Sequence, residues 1–502
     1  MSDPRHSDTS VFPDPVYKET VLRPLFDGAK AHHVEAFYAI DQAHLVMLAE
    51  TGILTADQAG RIAAALANIA REVDPAKLDY TGEVEDFFFQ IEKELKGRLG
   101  PDLGGRLHTA RSRNDIDHTL FKLALKPRID RLLAQAQALR VALIAAAERE
   151  KQTLIVAYTH GQPAQPSTFG HYLAAVIEVL SRDMERLEAA RAIVDLSPMG
   201  AAAITTTGFL IDRELVAQLL GFSAPLRNSY SCIAAVDYVT STYSAIQLMF
   251  THLGRLIQDM AFWTAFEVGQ LYVPNALVQI SSIMPQKRNP VPIEHMRLLA
   301  SQTVGRAGAM LTIMHNTPFT DMNDSEGESQ GFGYQAFDSA GRVLELLASF
   351  VSAVRIDPAR VAENIRRSCI TVTELADSLV RQEDLSFRQA HEIAAHVAKD
   401  VVAKGGGLED DGFAPFQAAF SEIIGRPSKF DETAFRHIVS PANFVAVRER
   451  LGGPGPGAMN DALRAYRRQS DEFAARAKAR VELETRARDE RLARFGALME
   501  AR

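Results

Sequence analysis

A chain of 502 residues exceeds what one ordinary hydrophobic core organises, so several domains or one large elongated unit are expected. Its 47% hydrophobic content is ample for burial, and its net charge of -8 argues against nucleic acid as a main partner, because phosphate binding needs an excess of Lys and Arg on one face. Two distant cysteines, Cys232 and Cys369, fit neither a disulfide framework nor a metal-ligand spacing, which makes a reducing compartment the default.

The opening MSDPRHSDTSVFPDP lacks the apolar segment of a secretory leader, and no apolar run reaches the ~18 residues of a membrane span, so a cytoplasmic protein is expected. From Asp117 to about Lys151, Leu120, Leu123, Leu132, Leu133, Ala136, Leu139 and Leu143 recur largely at three- and four-residue spacing, the mark of an amphipathic helix. Similar runs occupy about 170–195, 235–268, 291–316 and 330–353. Since mean helices have about 11 to 12 residues, these long ones imply an elongated bundle. The 235–268 run is apolar on more than one face, as expected of a helix at the centre of a homo-oligomer. Past about 365 the helices shorten, KGGGLEDDG and LGGPGPGAMN read as loops, and the last forty residues read as a charged, solvated, peripheral helix.

The breaks between long runs hold the chemistry. GPDLGGRLHTARSRND (100–115), YTHGQPAQPSTFG (158–170), SSIMPQKRNP (281–290) and NTPFTDMNDSEGESQGFG (316–333) are polar junctions that carry Pro, Gly or both. Each has a structural reading: Ser112, Asn114 and Asp115 as helix caps, His160 as a loop histidine, Lys287 and Arg288 as solvated charge. The recurrence of one construction at successive junctions points further, since an antiparallel bundle can gather such junctions. Ser112, Arg113, Asn114, Thr159, Lys287 and Asn289 are cationic or neutral donors, suited to a polycarboxylate substrate. The sequence has no Gly-rich phosphate loop, no Cys/His cluster and no nucleophile elbow, so no cofactor or metal is expected.

SSIMPQKRNP followed by PIE closely resembles the signature loop of the fumarase/aspartase superfamily. HTARSRND, THGQPAQPSTFGH, PMGAAAITTTGFLIDRELVAQLLGF and LGGPGP resemble its argininosuccinate lyase branch. The resemblance implies a mainly α subunit of three domains, 1–115, 116–365 and 366–502, the middle one a long five-helix bundle. Four subunits would pool a twenty-helix core, with each active site built from three chains. It also implies cofactor-free β-elimination of fumarate through an aci-carboxylate dianion. Ser281 would be the base, and Lys287 and loop N–H groups would stabilise its oxyanion. Lys287 and Asn289 would stabilise the dianion, and His160 paired with Glu294 would orient substrate or assist protonation of the leaving amine. Ser112, Arg113, Asn114, Thr159, Gln165, Ser282 and Met284 would bind substrate.

This chain departs from the branch where arginine should sit. GAKAH places Ala29 where a hydroxyl is usual, and EDFFFQIE places Phe88 where a His is usual. PFTDMNDSE places Pro318, Asn323 and Glu326 where Tyr, Gln and Lys are usual, and Ile280 replaces a Gly beside the signature loop. The catalytic half is kept and the amine half rebuilt, with Phe87, Phe88, Phe89 and a carboxylate expected around the amine. This pattern resembles lyases acting on ethylenediamine-N,N'-disuccinate. Arginine-releasing lyases, and structural relatives of the crystallin kind, are the other readings.

Overall fold

The computed structural model describes residues 11–500; the first ten residues, on which the leader expectation partly rests, lie outside the described residues. Five long helices, Arg113–Arg149, Phe169–Val194, Asp237–Thr264, Val291–Met314 and Gly327–Ala353, follow one another around a closed ring. Successive helices run antiparallel, and because five is odd, the last and the first run parallel where the ring closes. Apolar residues fill its centre, among them Leu132, Ile177, Ile246, Ala307 and Leu344. The fold is mainly α, as the sequence implied.

Helix length decides where the site can be. At 1.5 Å per residue, the 37-residue Arg113–Arg149 helix separates its two ends by about 55 Å. The shorter N-terminal helices, Arg23–His32, Val34–Glu50, Ala56–Glu72 and Phe87–Leu99, join the same apolar core as the bundle. Near the far end, the Leu154–Thr159 and Gln162–Thr168 strands pair as an antiparallel hairpin.

The C-terminal part divides in two, and its final helix differs from the sequence expectation. Residues 369–439 form an apolar core of their own around Leu379, Val397, Phe416, Phe420 and Phe435. The final helix, Pro456–Glu500, is not simply solvated. It buries Met459, Leu463, Tyr466, Ser470 and Phe473, spaced by four and three residues, and packs on the Val34–Glu50, Ala56–Glu72, Arg113–Arg149 and Phe169–Val194 helices. Its charges face acceptors: Arg467 meets Glu148 at 2.7 Å, Arg476 and Arg480 meet Glu188 at 2.7 Å, and Arg191 of the bundle meets Glu484 at 2.6 Å. Charge density concealed a heptad-like seam. Among the described residues, no helix is long and apolar enough to cross a membrane.

Candidate active site

The signature loop closes on itself. Gln279–Ile280 pairs with Arg288–Asn289, and the Lys287 N–H donates to the Met284 carbonyl at 3.0 Å. Within this turn the Ser281 Oγ accepts the Met284 N–H at 3.1 Å and the Ile283 N–H at 3.4 Å. Two amide donors aimed at one hydroxyl oxygen favour its anionic form. Arg288 is committed to structure: its guanidinium donates to the Tyr272 hydroxyl, the Val273 carbonyl and Asn275 Oδ1. Lys287 is exposed and makes no ion pair or hydrogen bond through its ammonium among the described residues. Ser282 and Met284 are exposed on the same loop, and Glu294 is exposed on the first turn of the helix that follows.

His160 and Gly161 are the two central residues of the hairpin turn, with φ of 54° and 73°. Positive φ at both positions is the requirement of a two-residue hairpin loop whose twist matches its strands. The turn holds Thr159 and His160 exposed at the tip. Among the described residues, no hydrogen bond or ion pair joins His160 to Glu294. Gln165, further along the hairpin, lines a separate cleft with Tyr172, Trp263 and Arg448.

Hairpin and signature loop occupy the same end of the bundle. The Gln270 side chain ties the hairpin to the Leu271–Tyr272 strand, accepting the Val156 N–H at 3.1 Å and donating to the Val156 carbonyl, and the Tyr272 hydroxyl accepts from Arg288 of the loop. Ser112, Arg113 and Asn114 lie at the opposite end, at the start of the 37-residue helix. One chain therefore does not assemble the full predicted set.

At that opposite end, Asp115 organises the local fold. Its Oδ1 accepts the Ser112 N–H, and its Oδ2 accepts the Gly200 and Ala202 N–H groups at 2.8 and 3.0 Å, pinning the 198–203 segment to the helix start. Burial, partly offset by these amides, pushes its carboxyl up to about 6. Asn114 donates to the Ala203 carbonyl at 3.1 Å. Arg113 meets Asp86 at 2.9 Å and Glu85 and Asp117 each at 3.2 Å.

A cavity of about 380 Å³ opens beside Arg113 and Asn114, and Ala29, Asn323 and Glu326 line it. Three of the positions that depart from the arginine-releasing pattern thus share one pocket. The expected aromatic trio does not: Phe87 lines the cavity, whereas Phe88 turns into a small space beside His108 and Arg111. Phe89 also stays outside the cavity lining. Consecutive helix positions point about 100° apart, so three adjacent side chains do not share one wall. Pro318 is also absent from the lining.

Asp117 and His33 line the cavity and His118 reaches its wall at Asp321; the sequence reading singled out none of them. The i, i+4 spacing of Arg113 and Asp117 was the available signal. His118, 1% exposed, shares Nδ1 with the Tyr238 hydroxyl at 3.3 Å, and its Nε2 lies 3.4 Å from Asp321.

Residues 14–305 match the Lyase family, and residues 369–446 match the argininosuccinate lyase C-terminal family. The chain is 70% identical to argininosuccinate lyase 2 of Agrobacterium fabrum, over 100% of this chain and 99% of that one. The chain belongs to the fumarase/aspartase superfamily, in its argininosuccinate lyase-like branch. It is also 31% identical to argininosuccinate lyase 1 of Shouchella clausii over 87% of this chain and 88% of that one. An EDDS lyase variant with bound fumarate superposes with a TM-score of 0.84 at 26% identity, covering 97% of this chain and 96% of that one. This lyase is accordingly a carbon-nitrogen lyase, and its fold is that of fumarate-forming enzymes.

Proposed function

We propose that this enzyme eliminates fumarate from an N-substituted aspartate, with Ser281 as the base. The supporting observation is the Ser281 Oγ held by two loop amides with Lys287 on the same turn. In the elimination, Ser281 takes the proton from the carbon next to the substrate carboxylate that becomes the aci-form. The electron pair then closes the carbon-carbon double bond as the carbon-nitrogen bond breaks, and the amine leaves with a proton. A preorganised donor on the developing dianion supplies ~3 to 4 kcal/mol, the role assigned to Lys287 and Asn289. Ser112, Arg113, Asn114 and Thr159 hold substrate, and His160 acts beside Glu294 of another copy. Loop closure excludes water. A homotetramer whose sites draw on three chains, working in the cytoplasm without a cofactor, completes the reading.

The substrate reading nearest the rebuilt pocket is ethylenediamine-N,N'-disuccinate, cut to N-(2-aminoethyl)aspartate and onward to ethylenediamine. It rests on Ala29, Asn323 and Glu326 in one cavity and on the likeness to EDDS lyase. Argininosuccinate is the second reading, favoured by the 70% identical relative of that name. Fumarate absorbance, followed with both compounds, adenylosuccinate and aspartate in parallel, tests the proposal. Faster release from argininosuccinate than from the disuccinate overturns the first reading in favour of the second.

A further inference from the structure

We propose that the cavity beside Arg113 selects a leaving amine that ends in a second cation and carries no carboxylate. This makes N-(aminoalkyl)aspartates the preferred substrate class, with Asp117, Asp321 and Glu326 setting the choice. The inference rests on the lyase reading above and narrows its amine half.

The cavity wall carries six carboxylates, Glu85, Asp86, Asp117, Asp321, Glu326 and Glu328, against the single guanidinium of Arg113. That guanidinium is already divided among Asp86, Glu85 and Asp117. His33, on the same wall, adds no charge at neutral pH: burial, with His32 and Arg128 nearby, holds its pKa down to about 3, and its Nε2 is occupied by the Tyr334 hydroxyl. A second observation points to an absent polar partner. The His118 ring is 1% exposed and directs its Nε2 at the cavity-lining Asp321, yet that nitrogen makes no hydrogen bond.

The electrostatics agree with the geometry. Burial, together with Glu326, Asp86 and Asp321, pushes Asp117 up to about 8 despite Arg113, and burial and Asp321 raise Glu326. Burial is the larger cause in both, and the neighbouring carboxylates add to it. Leu25, Phe87 and Phe121 give the cavity an apolar side for a short methylene chain. A distal carboxylate, whether of arginine or of a second succinyl group, would enter a field of its own sign. Of the two cleavages of a disuccinylated diamine, the pocket therefore suits the second.

The test compares kcat/KM for fumarate release from N-(2-aminoethyl)aspartate, N-(4-aminobutyl)aspartate, N-butylaspartate, the disuccinate and argininosuccinate. The aminoalkyl compounds are expected to lead N-butylaspartate by roughly ten-fold or more, the scale of a charge-assisted contact. Glu326→Gln should shrink the kcat/KM lead of the aminoalkyl substrates over N-butylaspartate, with the change carried by KM. On the wild-type protein, 1,4-diaminobutane should raise Tm where n-butylamine does not. Equal handling of charged and uncharged amines, with no distinction in Tm, overturns the pocket assignment and leaves the lyase reading standing. Absence of fumarate from the whole panel overturns the lyase reading and the assignment with it.

Discussion

At the scale of single residues, the proposed chemistry centres on one oxygen. A serine hydroxyl is a weak base, and the Ile283 and Met284 amides already point at the Ser281 oxygen, as the proposed base role requires. Ser281→Ala should therefore lower kcat by at least ~10²-fold with substrate binding largely kept, read as turnover against calorimetric affinity. Retention of a tenth of wild-type turnover would move the base elsewhere. A different residue governs acid stability. His33 stays neutral in the fold down to about pH 3, while the unfolded chain protonates it near 6.5. Between those values the unfolded state binds more protons, so stability present above 6.5 is lost as pH falls. Denaturant titrations at pH 6.5, 5.5 and 4.5 should show that loss. His33→Gln should reduce the slope by up to about 1.4 kcal/mol per pH unit, the weight of one proton. Asp117 acts in the opposite direction: its raised pKa gives stability that is present at low pH and lost as pH rises through about 8.

At the scale of elements, the long helices were legible because apolar residues that return every three or four positions over twenty or more residues fit one face of a helix and no strand. The signature loop was legible as a donor-bearing break because Pro285 and Pro290 oppose a helix there. What periodicity does not carry is which side chain of a dense cluster faces a cavity. Phe87 and Phe88 are equivalent as letters and are separated only by the rotation of their helix. Nor does sequence reveal close backbone approaches. Gly170, in a stretch that reads as a loop, opens the Phe169–Val194 helix against the end of its bundle neighbour. A Cβ there would meet the Ala147 carbonyl oxygen at 2.5 Å and the Lys151 Cα at 2.6 Å. Both are backbone atoms that do not swing aside. Gly170→Ala should cost ~1 to 3 kcal/mol, seen as a lower Tm, whereas Gly496→Ala, with open space around it, should not.

At the scale of the whole molecule, the residues proposed for one reaction stand at two ends of a ring of helices. Ser281, Lys287 and His160 occupy one end, and Arg113 and Asn114 begin the 37-residue helix at the other, about 55 Å away. No loop closure spans that distance, so a site that uses both groups takes them from different copies of the chain. The exposed His160 tip and the exposed Ile280 and Ile283 beside Ser281, at 74% and 82%, fit surfaces that a neighbouring copy covers. The consequence separates shared from self-contained sites. Ser281→Ala and Arg113→Gln should each be inactive alone, yet when mixed in equal amounts, dissociated and reassembled, about a quarter of the sites should draw a native serine from one variant and a native arginine from the other. Recovery of activity toward that fraction, measured as fumarate released per chain, is expected. If the mixture stays as inactive as its parents while each still assembles, the two ends do not serve one site, and Arg113 belongs to the fold rather than to the reaction.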